Sequence, residues 1–367
     1  MLLPQLIKIM QNYKTKLIII ISFISIQGCL NLGPLTINKN RNNYNSIIQK
    51  TNDEQLLLNL VRLKYHDTPF FMEIANVTSQ HKFSTNLNTE AIFPNSGLNI
   101  FDFGGGAGVS ESPVVTYSPL QGQKFIQQFL AKMKLTSIFL LYKSGWSIDK
   151  ILRLCFEKMG HLENAPNASG PTPNSAPIYK GFLRAAKLFR ELEKKNAINI
   201  FMEEVQGEEI MTLKLDPSVN KSPATRELNN LFNKTKSNLS FKFGLNDLNI
   251  NFDIETRSLL GIMYYLSHGI ETPLKDIEKG YVTRTLDIDG KVFYWSNVTG
   301  DLLKIYVQHE KPSHASVEIF YNENWYYIKK SDLISKSTFS FLAQIFFLQA
   351  GNFERTAPLI TIPIGNN

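Results

Sequence analysis

Two histidines and a neighbouring glutamate come closest to a metal site in this chain. His309 and Glu310 are followed by His314, and imidazole and carboxylate groups are ligands that zinc prefers. Two zinc ligands on one helix face usually stand four residues apart, but these two histidines stand five apart. Pro312 also argues against a helix between them. A hairpin would still bring the two imidazoles together, so a metal site stays open as the alternative. We predict solvated turn histidines and no bound metal.

The other patterns that could do chemistry have simpler structural explanations. The glycine-rich sequence FGGGAG at 103–108 lacks the spacing of a dinucleotide-binding loop, and no phosphate-loop lysine follows it. Asp287, Asp289 and Gly290 begin like a calcium loop but lack its glutamate, and the Asp-Gly pair favours a hairpin turn. No Gly-x-Ser-x-Gly nucleophile elbow occurs. Cys155 lies on an apolar helix face and is interpreted as a core residue. We predict no catalytic residue and no cofactor.

Aromatic residues leave one further alternative open. A glycan-binding surface could be formed by Trp146, Trp295 and Trp325 together with Tyr294, Tyr326 and Tyr327. Aromatic side chains also favour β-strands and buried positions. Core packing is therefore the interpretation that we favour.

The elements that must position these residues come in blocks of helices and blocks of strands. Residues 178–195 show helical periodicity, and the very apolar residues 335–350 predict a central helix. Ser118–Gln121 has the pattern of a helix-starting capping box, and Asp289-Gly290 predicts a hairpin. Such blocks are typical of an α+β fold. We predict mixed helices and a mainly antiparallel sheet, arranged in two lobes.

The N-terminus has the charge and hydropathy pattern of a signal peptide. Residues 1–28 carry three lysines and no acidic residue, and Leu17–Ile26 is an apolar run that is too short to span a bilayer. The run ends at Ile26, Gln27, Gly28 and Cys29, a sequence that resembles the bacterial lipobox, although Gln27 replaces the commoner small or aliphatic residue. The resemblance implies cleavage before Cys29 and acylation of that cysteine. An ordinary secretory signal is the alternative.

The residue after the modified cysteine bears on location. In the better-studied Gram-negative lipoproteins an aspartate at that position retains the protein at the inner membrane, and here the residue is Leu30. The resemblance therefore implies an anchor in the bacterial cell envelope, in the outer membrane and facing the periplasm. Membrane lipid is the first partner that it implies, through acylated Cys29.

Composition also predicts the organisation of the exported part. We assign a signal peptide at 1–28, a polar tether at 29–50 and an N-terminal α+β lobe at 51–160. Residues 161–177 contain four prolines and no apolar periodicity, which indicates a linker or a long surface loop. A C-terminal α+β lobe follows at 178–367.

Charge and cysteine content exclude two classes of protein. Loss of the three signal-peptide lysines would reduce the net charge of +7 to +4, far from the dense basic surface that nucleic-acid binding needs. We predict no nucleic-acid partner. Only two cysteines occur, so acylation of Cys29 would leave Cys155 without a disulfide partner. This excludes the class of disulfide-stabilised proteins, and stability would come from the core.

One helix face carries a stripe of positive charge. Its members recur every three or four residues and lie opposite an apolar face: Lys180, Arg184, Lys187, Arg190 and Lys194. On a lipid-tethered protein this stripe could contact anionic headgroups or an acidic protein partner. An ordinary solvated helix face is the alternative that we favour.

Several motifs together resemble a group of uncharacterised proteobacterial lipoproteins. They are Asn52–Phe70, Ser144–Trp146, Ser335–Phe341 and Leu359–Pro363. The resemblance supplies no catalytic residue. We therefore predict a lipid-anchored, non-enzymatic scaffold or accessory subunit of an envelope complex. The alternative is a periplasmic hydrolase or glycan-binding enzyme, which would require a cleft where His309, His314 or Asp287 converge.

Overall fold

The computed structural model describes residues 32–92, 100–205, 207–234, 239–244 and 252–350. Within these ranges the chain forms ten α-helices and three mainly antiparallel sheets, which confirms the predicted α+β class. Ile26, Gln27, Gly28 and Cys29 lie outside the described residues, as does the rest of the predicted signal peptide.

The helices are α1 (Leu32–Lys64), α2 (Gln123–Leu130), α3 (Leu135–Lys143), α4 (Ile148–Cys155), α5 (Lys180–Lys194), α6 (Pro223–Leu231), α7 (Leu259–Ser267), α8 (Leu274–Glu278), α9 (Ser296–Thr299) and α10 (Leu333–Ala350). The strands are β1 (Met72–Ile92), β2 (Ile100–Pro119), β3 (Phe156–Met159), β4 (Leu162–Glu163), β5 (Ile198–Val205), β6 (Glu208–Leu215), β7 (Ser240–Gly244), β8 (Phe252–Thr256), β9 (Tyr306–Gln308), β10 (Ala315–Tyr321) and β11 (Asn324–Lys329). None of the described helices is both long and apolar enough to cross a membrane.

Internal contacts divide the chain into two units, Met1–Glu54 and Gln55–Asn367. In the first unit, helix α1 already begins at Leu32, so most of the segment predicted as a tether, 29–50, is helical. The sequence lacks an apolar stripe there, but extending a helix that has already formed needs no such stripe. Most of the residues from 42 to 50 are exposed.

The largest sheet lies in the second unit and has the strand order β4-β3-β8-β7-β6-β5. Its neighbours run antiparallel except for the parallel pair β7 and β8. Strand β3 precedes residues 164–177 and pairs with β8, which follows them, through Phe156 and Thr256. The two predicted lobes share this sheet, so the described residues give no lobe boundary at 161–177. That segment is a loop within one unit.

Helix α5 covers this sheet with the apolar face that its periodicity predicts. Phe182, Ala185 and Leu192 are buried on that face. Phe189 packs edge-on against Phe241 of β7, with 5.4 Å between the ring centroids. Because such aromatic packing gains both buried area and favourable ring geometry, it fixes the helix on the sheet.

Local signals had mixed success elsewhere. The capping box at Ser118–Gln121 is wrong: Pro119 pairs with Met72 in the β1–β2 hairpin, and helix α2 starts after Gly122, without a side-chain cap. Long-range strand pairing there outweighs a cap worth about 1 kcal/mol. The predicted Asp289-Gly290 turn is confirmed, since Leu286 bridges Val292 across it. The predicted apolar helix is α10.

Candidate functional site

The end of helix α1 is held firmly in place. His66 adopts a positive φ of 64° immediately after the helix. The Tyr65 hydroxyl donates to an Asp276 carboxylate oxygen at 2.5 Å and lies 2.6 Å from the Tyr326 hydroxyl. These bonds connect the helix end to α8 and β11. They fix the position of Lys64, the last helical residue.

A cleft of about 850 Å³ opens beside this helix end. Its walls come from the ends of α1 and α7, from the segment around Thr283 and Thr285, and from the segment between Val292 and Lys304. The backbone at Gly269 allows these parts to meet: a Cβ atom there would lie 2.4 Å from the Leu303 carbonyl oxygen. The volume falls within the range of small-molecule sites.

Two stacked rings form one wall of the cleft. The imidazole of His268 and the indole of Trp295 are nearly parallel, at 18°, with 4.0 Å between their centroids. The Trp295 indole donates to the Thr285 hydroxyl at 2.9 Å, and that hydroxyl donates to the Pro173 carbonyl oxygen at 2.7 Å. This wall is therefore rigid, and the polar atoms named here already have protein partners.

His268 is held as a neutral ring. Its Nε2 lies 3.3 Å from the carbonyl oxygen of Ala168, which can only accept, so this nitrogen carries the proton. Burial first, and then the nearby charge of Lys64, lower the pKa of His268 well below its ordinary value of 6.5. The other ring nitrogen, Nδ1, lies 3.5 Å from the Thr172 hydroxyl, so both nitrogens have protein neighbours and the ring is held in the wall of the cleft.

Lys64 is the unusual residue of the cleft. It lines the cavity and is 6% exposed, and its side chain forms no ion pair or hydrogen bond with any residue that the structure describes. Burial lowers the pKa of Lys64 from 10.5 to about 8. That difference corresponds to about 3 kcal/mol of unfavourable free energy for the charged form. A helix C-terminus stabilises a cation by up to about 2 kcal/mol at partly buried positions, which is less than this penalty.

The lining as a whole, Lys64 included, carries more positive than negative charge. Four cationic side chains line the cleft and two carboxylates oppose them. Lys304 pairs with Glu271 at 2.9 Å, and Lys187 lies 3.8 Å from Asp301. Arg284, exposed at the opening, has no carboxylate partner within the described part of the chain. The arrangement offers uncompensated positive charge beside an aromatic wall.

The residues considered as alternative metal ligands do not meet in this cleft. His309 and His314 are both exposed, and neither lines it. Asp287 serves the hairpin turn, where its carboxylate accepts from the backbone N–H of Asp289 at 3.0 Å and of Lys291 at 2.8 Å. The described residues contain no cluster of three or more metal-ligating side chains.

Cys155 is a core residue, as the sequence predicts. It lies at the end of α4 with no exposed area, and burial raises the pKa of its thiol to about 12. A thiol in this state is a poor nucleophile because the thiolate is the reactive form.

The aromatic residues considered as a glycan platform are dispersed. Trp295 and Tyr294 line the cleft. Trp146 instead packs on Phe341, with 4.5 Å between their centroids, and Tyr326 is fully buried. Trp146 and Tyr326 therefore do not share a surface with Trp295 and Tyr294.

The cationic stripe lies on the exposed side of α5, where the sequence places it. Arg184 makes a two-pronged pair with Glu227 at 2.5 and 2.6 Å. Lys187 lies near Asp301, and Arg190 contacts Asp149 and Glu193. Lys180 and Lys194 have no carboxylate partner in the part of the chain that is described. Carboxylates thus neutralise much of the stripe, and its contact with anionic surfaces stays a prediction.

Sequence reasoning missed Lys64 and His268 as members of one site. Lys64 reads as an ordinary cation in the last turn of a helix, and no local pattern marks it as buried. No family model, curated protein or solved structure matches the chain. The resemblance to proteobacterial lipoproteins therefore stays a prediction.

Proposed function

We propose that this protein is a lipid-anchored component of the bacterial cell envelope, attached to the outer membrane through acylated Cys29 and facing the periplasm. The observation that carries the proposal is the sequence from Leu17 to Cys29: an apolar run of signal-peptide length that ends in a lipobox-like motif. Two or more acyl chains on one cysteine give stable attachment, whereas one chain gives only marginal attachment.

We infer that the folded part acts as a non-enzymatic scaffold or accessory subunit with an envelope protein partner. The side chains best suited to chemistry have structural roles: His268 is neutral and bonded to Ala168, Asp287 shapes a turn, and Cys155 is sealed in the core. A hydrolase or glycan-binding enzyme is the second candidate. Its expected residues, His309, His314 and Asp287, do not line the cleft.

Replacing Cys29 with serine tests the anchor. Wild-type protein should incorporate a clickable fatty acid and fractionate with membranes, because the thiol is the acylation site. The Cys29→Ser variant should incorporate none, and it should either leave the membrane fraction or remain as an uncleaved precursor. Gel mobility, click labelling and fractionation of whole cells measure this.

Cys155→Ala is the matched control because it removes the other cysteine and leaves the lipobox intact. It should be labelled and anchored like the wild type. The anchor is refuted if Cys29→Ser fractionates, migrates and labels like the wild-type protein. Crosslinking in intact cells tests the scaffold role: discrete higher-mass species should form with wild type and disappear with Cys29→Ser.

A further inference from the structure

We propose that the cleft beside helix α1 is a binding site for a small organic anion, whose carboxylate or phosphate group contacts Lys64 while its apolar body lies against Trp295. The proposal goes beyond the anchoring function and does not depend on it. It rests on a buried cation without a partner that lines an open cavity, and on the charge of the surrounding walls.

Lys64 is the cation that the anionic ligand would contact. Buried lysines are normally paired with a carboxylate, and Lys64 has no such partner among the described residues. The Tyr65 bonds to Asp276 and Tyr326 hold the helix end in place. An anionic ligand would supply the missing partner of this cavity-lining ammonium group.

The carboxylates that line the cleft are already paired with cations. Glu271 and Asp301 line the same cleft, but Lys304 and Lys187 already pair with them, and Arg153 donates to Asp301 at 2.6 Å. Their negative charge is therefore largely compensated. Lys64 and Arg284 remain, so the free charge of the lining is positive.

The apolar part of the lining would contact the body of the ligand. The lining includes Trp295, Phe293, Val282 and Ile270. Phe293 meets Trp295 edge-on, at 89° and 5.4 Å, which keeps the indole in place. A bare inorganic anion would leave this apolar wall wet, whereas an anion with an aromatic or branched body would cover it.

Phenyl phosphate, inorganic phosphate and benzyl alcohol distinguish the contributions. In calorimetric titrations of the detergent-solubilised full chain, we expect phenyl phosphate to bind more tightly than either of the other two. Inorganic phosphate lacks the ring and benzyl alcohol lacks the charge. Tighter or equal binding of benzyl alcohol would contradict the anion site, and equal binding of inorganic phosphate would contradict the role of the aromatic wall.

Two substitutions locate the charge. Lys64→Met should raise the dissociation constant for phenyl phosphate by about thirtyfold or more, since it removes a buried charged partner, whereas Lys64→Arg should retain most of the affinity. Lys221→Met is the matched control, because that lysine is exposed, lies outside the cationic stripe of α5 and does not line the cleft. Circular dichroism spectra verify that each variant is folded.

Two results would overturn the proposal. One is unchanged affinity in Lys64→Met, which would show that the anion binds elsewhere. The other is the absence of phenyl phosphate binding to the wild-type chain at millimolar concentrations, which would make Lys64 a buried cation with no ligand.

Discussion

Arg257→Met should lower the free energy of unfolding by about 4 kcal/mol. The guanidinium is fully buried and donates to the carbonyl oxygens of Arg153 at 3.0 Å, of Phe156 at 2.6 Å and of Asn164. Methionine fills similar space but donates nothing, so the Asn164 carbonyl would lose this donor, and the carbonyls of Arg153 and Phe156 would keep only their bonds from the Asn164 amide. A hydrogen bond from a charged donor contributes about 1.5–3 kcal/mol, and a buried acceptor without a partner costs about 1–3 kcal/mol. Loss of the guanidinium stack over Tyr265, at 4.1 Å, adds to this.

Guanidinium chloride denaturation of the full chain measures the effect. Arg226→Met is the matched control, because Arg226 is exposed on α6 and surface changes usually stay within about 0.5 kcal/mol. Arg257→Lys should fall between the two, since an ammonium group has three donors but lacks the planar fork. If Arg257→Met lowers the free energy of unfolding no more than Arg226→Met does, the hydrogen bonds from Arg257 to the three carbonyl oxygens do not stabilise this region.

Arg257 also explains why residues 161–177 could not be understood from sequence. Their four prolines indicate a linker or a loop, yet Asn164 is buried and donates to the carbonyl oxygens of Arg153 and Phe156 at 2.8 and 2.7 Å. Further along, Ala168 accepts from His268. Arg257, which donates to the Asn164 carbonyl oxygen, and His268 lie 93 and 100 residues away from their partners in this segment, so no local composition signal reports these contacts. The loop is an integral part of the unit.

The sequence could predict the elements in which burial of one face sets a regular spacing of apolar residues. Helix α5 is an example, because each turn repeats the same contrast between Phe189 and its charged neighbours. The turn at Asp289-Gly290 was equally predictable, since its conformation depends on two adjacent residues. The capping box at Ser118 failed because these residues pair with a strand that is distant in sequence, as the pairing of Pro119 with Met72, 47 residues earlier, shows.

The candidate site was not predictable for a related reason. Lys64, His268 and Trp295 come from three distant parts of the chain and meet only after α1, α7 and the segment before α9 have packed. A sequence pattern reports spacing along the chain, whereas this cleft depends on spacing between elements. By contrast, the predicted lipid attachment at Cys29 needs only contiguous residues.

Lys64→Met should raise the free energy of unfolding, whereas Arg257→Met should lower it, although both replace a buried cation by the same residue. Arg257 is surrounded by carbonyl oxygens that need its protons, whereas Lys64 has no acceptor among the described residues. Removing the Lys64 charge therefore leaves no polar group without its partner and ends an unfavourable burial. In the absence of added anions at pH 7, we expect the free energy of unfolding to rise by about 3 kcal/mol.

The gain should depend on pH in a defined window. Burial lowers the pKa of Lys64 to about 8 in the folded chain, against 10.5 for the ordinary group. Below pH 8 both states hold the proton and the folded chain bears the full penalty. Between pH 8 and 10.5 the folded chain releases its proton while the unfolded chain keeps it, so wild-type stability rises with pH. The advantage of Lys64→Met should therefore shrink across this window.

Comparison with a second variant isolates Lys64 from other groups that titrate there. Burial also lowers the pKa of Lys234 to about 8, but Lys234 is present in both proteins, so its contribution cancels in the difference. Lys221→Met should leave the free energy of unfolding within about 0.5 kcal/mol, since that lysine is exposed. A loss of stability in Lys64→Met at pH 7 would mean that the ammonium has a stabilising role in the ligand-free fold. A gain that comes with loss of phenyl phosphate binding would instead show that the chain keeps an unfavourable charge where it binds an anion.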